Sequence, residues 1–104
     1  MKYKHKIDMI IENFDFEKAE KVMIALGWHW STFDGTCYRP NVEQMKLMAT
    51  DLLNGAASGL IASGENSYYN RSGGFDAQAY LGEDNEIQLR LSFSATDWDT
   101  EDCQ

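Results

Sequence analysis

The sequence predicts an α+β fold: a two-layer domain with an antiparallel sheet of three to four strands and two main helices packed on one face. Three observations carry that expectation. The stretch FDAQAYLGEDNEIQLRLSF (75–93) alternates apolar and polar residues, with Phe75, Ala77, Ala79 and Leu81 on one side and Asp76, Gln78 and Tyr80 on the other. The same beat resumes at Ile87, Leu89, Leu91 and Phe93 after Gly82-Glu83-Asp84-Asn85. A period of two describes strands with one buried and one wet face, joined here by a short turn. Two further stretches carry apolar residues at helical spacing, and a third, WHWSTF (28–33), combines aromatic and β-branched residues before Asp34-Gly35.

In chain order, Ile7, Ile10, Ile11 and Phe14 recur at helical intervals, so residues 4–12 form a short helix, with a strand as the alternative. A first main helix is expected over 15–26, where Ala19, Val22, Met23 and Leu26 make the buried stripe. Asp15 caps it, Phe14 is placed to staple against Ala19, and Gly27 ends it. Trp28 to Phe33 and Thr36 to Arg39 are expected to form a hairpin around Asp34-Gly35, a dipeptide suited to the positive φ angles of a tight turn.

Pro40 closes that segment. Asn41 and Gln44 then make a capping box for the second main helix. Val42, Met45, Met48, Ala49, Leu52, Leu53 and Ala56 form its stripe; Asn54 is its expected last residue and Gly55 its stop. The methionines at this spacing are core filler rather than a metal box. Residues 55–74 are rich in Gly, Ser and Asn and are expected to form a long loop, although Ala57 to Ala62 is compatible with an added helical turn. Gly73 and Gly74 allow a bulge or a tight turn into the next strand. Ala77 and Ala79, small residues on the inward face, leave room for a helix to approach the sheet.

A chain of 104 residues is expected to form one domain over 1–104, with a basic N-terminus (1–6) and an acidic tail (96–104) that are mobile. No apolar run approaches the roughly 20 residues of a membrane helix, and the N-terminus lacks a secretory core, which points to the cytosol. Cys37 and Cys103 share no metal-type spacing and read as free thiols.

Lys2, Lys4 and Lys6 stand against a net charge of −8 for the whole chain. Such a field repels nucleic acid, so direct binding to a phosphate backbone is not expected. The acidity serves either solubility, the commoner reason, or recognition of a basic partner.

No catalytic arrangement emerges. GxSxG, HExxH and Walker-type glycine motifs are absent, and the two histidines, His5 and His29, give no zinc signature. No enzyme activity, metal or cofactor is therefore expected. The acidic tail DWDTED (97–102) lacks the glycine and spacing of a calcium loop. Trp28 and Trp30 share a strand face; stacking on a base or ligand is one reading, and core packing of at least one of the two indoles is the favoured one.

The 55–74 segment is the best candidate site. Tyr, Ser, Gly and Asn together have the makeup of binding loops, and Asn66, Tyr68, Tyr69, Asn70 and Arg71 are its expected contact residues. Glu83, Asp84 and Glu86 add an acidic turn able to mimic a phosphate backbone. The competing interpretation is a plain surface loop whose tyrosines pack back on the domain.

The pattern GWHW (27–30), Pro40 opening a helix, SGGFDA (72–77) and LRLSF (89–93) resembles small proteins encoded by bacteriophages and prophages. Those share a helix, a W-x-W strand, a proline-started helix and a GGF-x-A hairpin. The resemblance covers most of the chain, leaving out the N-terminus and tail, and its motifs are structural, so no functional residue carries over. It implies a context: a phage accessory protein in the host bacterial cytoplasm, of the kind that inhibits host functions, including anti-CRISPR and other anti-defence proteins. The leading expectation is thus a non-enzymatic inhibitor of a host bacterial protein, such as a nucleic-acid-binding defence component. The alternatives are a binder that sequesters a small ligand or nucleotide signal, using Arg71 on phosphate, and a structural or assembly accessory of the phage. The aromatic wet face around Tyr80 and His29 would suit a homodimer.

Overall fold

The computed structural model describes residues 3–27, 30–31, 37–63, 66–70 and 74–94. In order these form α1 (Lys4–Asn13), α2 (Phe16–Leu26), β1 (Trp30–Ser31), β2 (Cys37–Tyr38), α3 (Val42–Ser63), β3 (Asn66–Asn70), β4 (Phe75–Leu81) and β5 (Ile87–Phe93). The fold is α+β and its strands pair antiparallel.

The first segment resolves to a helix. α1 buries Ile7 and half-buries Ile10 and Ile11, so the helical spacing prevails over the strand alternative. Lys4 supports it with an ion pair to Asp8 at 2.7 Å, one turn on. α2 begins and ends where its signals lie. The Asp15 carboxylate accepts from the Lys18 N–H at 3.0 Å, and Gly27 closes the helix in the left-handed region at φ 68°. α3 starts in a reciprocal capping box: Gln44 N–H donates to Asn41 Oδ1 at 2.8 Å, and Asn41 N–H donates to Gln44 Oε1 at 2.9 Å.

α3 departs from expectation at its other end. It does not stop at Gly55 but continues to Ser63, giving 22 residues. The apolar stripe explains why. Leu52, Leu53, Ala56, Ala57 and Leu60 are all buried, so burial continues across Gly55 and outweighs its cost of roughly 1 kcal/mol in a helix interior. The expected loop over 55–74 is corrected further by β3, which occupies Asn66–Asn70. Tyr68 and Tyr69 are strand residues, and β-propensity with an open neighbour in β4 settles the segment as a strand.

The expected single sheet is also corrected. The strands divide into a three-stranded sheet, in the order β3-β4-β5, and a separate two-stranded ribbon, β1-β2. The ribbon pairs Trp30 with Tyr38 and Ser31 with Cys37. The expected Asp34-Gly35 turn, Trp28, His29, Gly73, the N-terminal Lys2 and the tail over 96–104 lie outside the described residues, as do Cys103 and the side chain of Cys37.

The C-terminal hairpin matches its alternation. β4 pairs Phe75 with Phe93, Ala77 with Leu91, Ala79 with Leu89 and Leu81 with Ile87. Phe75, Ala77 and Ala79 are fully buried, and α3 lies against all three strands on that face. The alanines allow the close approach. Three helices contribute rather than two. α1 packs on α3 and β5, where Lys6 Nζ donates to the Ile87 carbonyl at 2.7 Å, and α2 packs on α3. Four phenylalanines fill the end of the core. Phe75 lies 5.0 Å from Phe93, 5.9 Å from Phe16 and 6.0 Å from Phe14, with all the rings tilted. Gly74, at φ 86°, opens β4 in a conformation that favours glycine, and a Cβ there would meet the Ser94 carbonyl at 3.0 Å.

Candidate functional site

Cross-strand partners in an antiparallel ladder share a face, so the register assigns each residue of the sheet to one side. The side away from the helices carries Asp76, Gln78 and Tyr80 from β4, with Gln88, Arg90 and Ser92 from β5. These are half-buried to exposed; Tyr80 keeps 38% of its surface open. The register extends the rows to β3. Asn66 joins Tyr80 and Gln88, Tyr68 joins Gln78 and Arg90, and Asn70 joins Asp76 and Ser92.

The predicted tyrosine pair is therefore divided. Tyr68 takes a row of the open face, whereas Tyr69 sits opposite Ala77 in a row of the helix-covered face. Two tyrosines in one flexible loop would reach the same partner; two neighbours in a strand do not. Arg71 lies outside the described residues.

The β4–β5 turn adds the charge. Glu83, Asp84 and Glu86 are all exposed, three carboxylates within four positions. The turn is held by Gly82 N–H donating to the Glu86 carbonyl at 2.8 Å and Asn85 N–H donating to the Gly82 carbonyl at 3.0 Å. Asn85 adopts φ 61°, a left-handed conformation that asparagine tolerates better than most residues. This turn closes the end of the hairpin nearest the Asn66–Tyr80–Gln88 row. Successive rows on one face are spaced roughly 7 Å apart, so Asn70 lies two rows farther from the acids.

The structure thus brings Asn66 and Tyr68 onto the same platform as the acidic turn, and adds Gln78, Tyr80, Gln88 and Arg90 as neighbours. The signal for these four was present in the alternation, which marked them as the wet face. What it lacked was the third strand, which turns a hairpin into a surface.

Among the described residues, two clefts lie elsewhere. One, of about 420 Å³, is lined by Phe14, Ala19, Val22 and Phe93, with Asp15, Lys18 and Ser94 at its polar border. A smaller one, of about 180 Å³, lies between α1, α2 and the start of α3. Among the described residues no group of three His, Cys, Asp or Glu side chains could hold a metal ion, and no helix is long and apolar enough to cross a membrane.

No protein-family model matches the chain, and no curated protein or solved structure matches it significantly.

Proposed function

We propose that this chain is a non-enzymatic binding protein that inhibits a basic protein partner, docking with the open sheet face and the acidic β4–β5 turn. In the context implied by the phage resemblance, the partner is a host bacterial protein whose basic surface normally meets nucleic acid, such as a defence component. The observation that carries this reading is the placement of Glu83, Asp84 and Glu86, all exposed, at one end of a face lined by amide, hydroxyl and aromatic side chains. Carboxylates there mimic a phosphate run, while Tyr80 supplies contact area at low entropic cost. Charge complementarity of this kind steers encounter and discriminates partners.

The test begins with affinity capture from bacterial lysate and continues with the purified partner. Raising salt from about 0.05 M to about 0.5 M should weaken binding by roughly 10- to 100-fold, because exposed charges are screened over a few ångströms at high salt. The triple variant Glu83→Lys, Asp84→Lys, Glu86→Lys should lose at least as much. Affinity indifferent to both changes overturns the acidic-surface reading.

A second reading, a small-ligand binder, is favoured by one observation: the 420 Å³ cleft, whose lining combines Phe14, Ala19, Val22 and Phe93 with Asp15, Lys18 and Ser94. With the Asp15 carboxylate and the Lys18 ammonium both in its lining, it fits a small apolar ligand better than a nucleotide with several phosphates. Native mass spectrometry of the purified protein checks it: a co-purifying small molecule lost in Val22→Trp supports this reading, and bare protein mass removes it.

A further inference from the structure

We infer that β3 is a self-association edge: two copies of the chain pair their β3 strands antiparallel about a two-fold axis at Tyr68, joining two three-stranded sheets into one of six strands. The two outer edges of the sheet are treated differently. At the β5 edge, α1 packs against the strand, and Lys6 Nζ takes up the Ile87 carbonyl. At the β3 edge, the only strand neighbour among the described residues is β4, on the inner side. No backbone hydrogen bond between β3 and any segment beyond that ladder occurs among the described residues. An edge left open normally carries lysine, proline or a bulge to repel other strands. β3 reads NSYYN and has none of these.

The sequence of the edge selects a second copy as occupant. The chain as a whole carries −8, yet these five positions are uncharged, so two copies meet here without like charges in register. A basic partner strand would find nothing to pair with. The antiparallel register is also self-complementary. Asn66 faces Asn70 of the other copy, Ser67 faces Tyr69, and Tyr68 faces its own counterpart. In an antiparallel strand alternate residues direct both their N–H and C=O outward, so a self-paired register satisfies donors and acceptors on both copies at once.

The consequence is an isologous dimer with the open face continuous across the two-fold axis, so the Tyr68–Gln78–Arg90 rows of both copies run on into one another. A five-residue edge is a small interface, so the dimer is weak, with Kd on the order of 100 µM.

Sedimentation equilibrium of the full chain from about 10 µM to about 1 mM should show the mass rising from 11.9 kDa towards twice that value. Tyr68→Lys and Tyr68→Glu each set like charges face to face on the two-fold axis. Either alone should stay at single-chain mass, with an unchanged circular dichroism spectrum. Mixed, the two should associate, read as shifts of the β3 amides when labelled Tyr68→Lys is titrated with unlabelled Tyr68→Glu. Should both variants fail to fold, amide exchange of the wild-type chain decides. Slower exchange across Asn66–Asn70 at the higher concentration supports the inference, and concentration-independent exchange overturns it. Wild-type mass that never leaves the single-chain value, or a dimer that persists in both charged variants alone, overturns it equally. None of these readouts involves a partner protein, so they succeed or fail apart from the inhibitor proposal.

Discussion

Phe75 occupies the point where the helical layer and the sheet meet at the end of the core. It is 1% exposed and touches the ring systems of Phe14, Phe16 and Phe93. Truncating it removes a large buried ring and leaves a cavity whose walls belong to three elements that cannot all collapse inward. Phe75→Ala should therefore lose about 3–5 kcal/mol, measured by urea unfolding. A loss under about 1 kcal/mol would mean that the aromatic cluster is far looser than these ring distances imply. Tyr68 and Tyr69 show a different residue-scale lesson. Their type fits either a binding loop or a strand, and only the pairing of Tyr69 with Ala77 and Tyr68 with Gln78 separates them.

Among the elements, α3 organises the fold, since it packs on every strand of the larger sheet and on both other helices. Its beginning is local chemistry. The Asn41–Gln44 box satisfies two backbone N–H groups that would otherwise lack partners. Asn41→Ala removes the side-chain acceptor for the Gln44 N–H and should cost about 1 kcal/mol, read as a lower urea midpoint with unchanged slope. Asn41→Ser should recover most of it. The end of α3 is not local: composition at Gly55 favours a stop, while burial of Ala56, Ala57 and Leu60 carries the helix on. The hairpin β4–β5 is the reverse case, because alternation, turn length and register all agree.

For the whole molecule, charge and shape act together. Net charge of −8 sets a long-range field, but the three turn carboxylates give it a location, beside a face that carries only Asp76 and Arg90 as charged residues of β4 and β5. Salt should consequently weaken the proposed partner contact while leaving the unfolding midpoint nearly unchanged, since the described core contains no buried charge. A thermal melt in low and high salt, run beside the binding titration, checks the pair of expectations. A midpoint that moves as steeply as the affinity would show that the acidity acts on folding instead.

Local sequence signals were enough to specify the α+β class, the boundaries of α2, the start of α3, and the two faces of the β4–β5 hairpin. Each of these is written in contacts a few residues apart: a cap, a left-handed glycine, a period of two. Tertiary structure decided where α3 ends, that 66–70 is a strand, that the short ribbon stands apart from the larger sheet, and which of the two tyrosines shares a face with Arg90. Those outcomes depend on what lies opposite a segment in space. A glycine-rich stretch becomes helix when its neighbours are buried, and strand when an open edge stands beside it, and neither condition is visible along the chain.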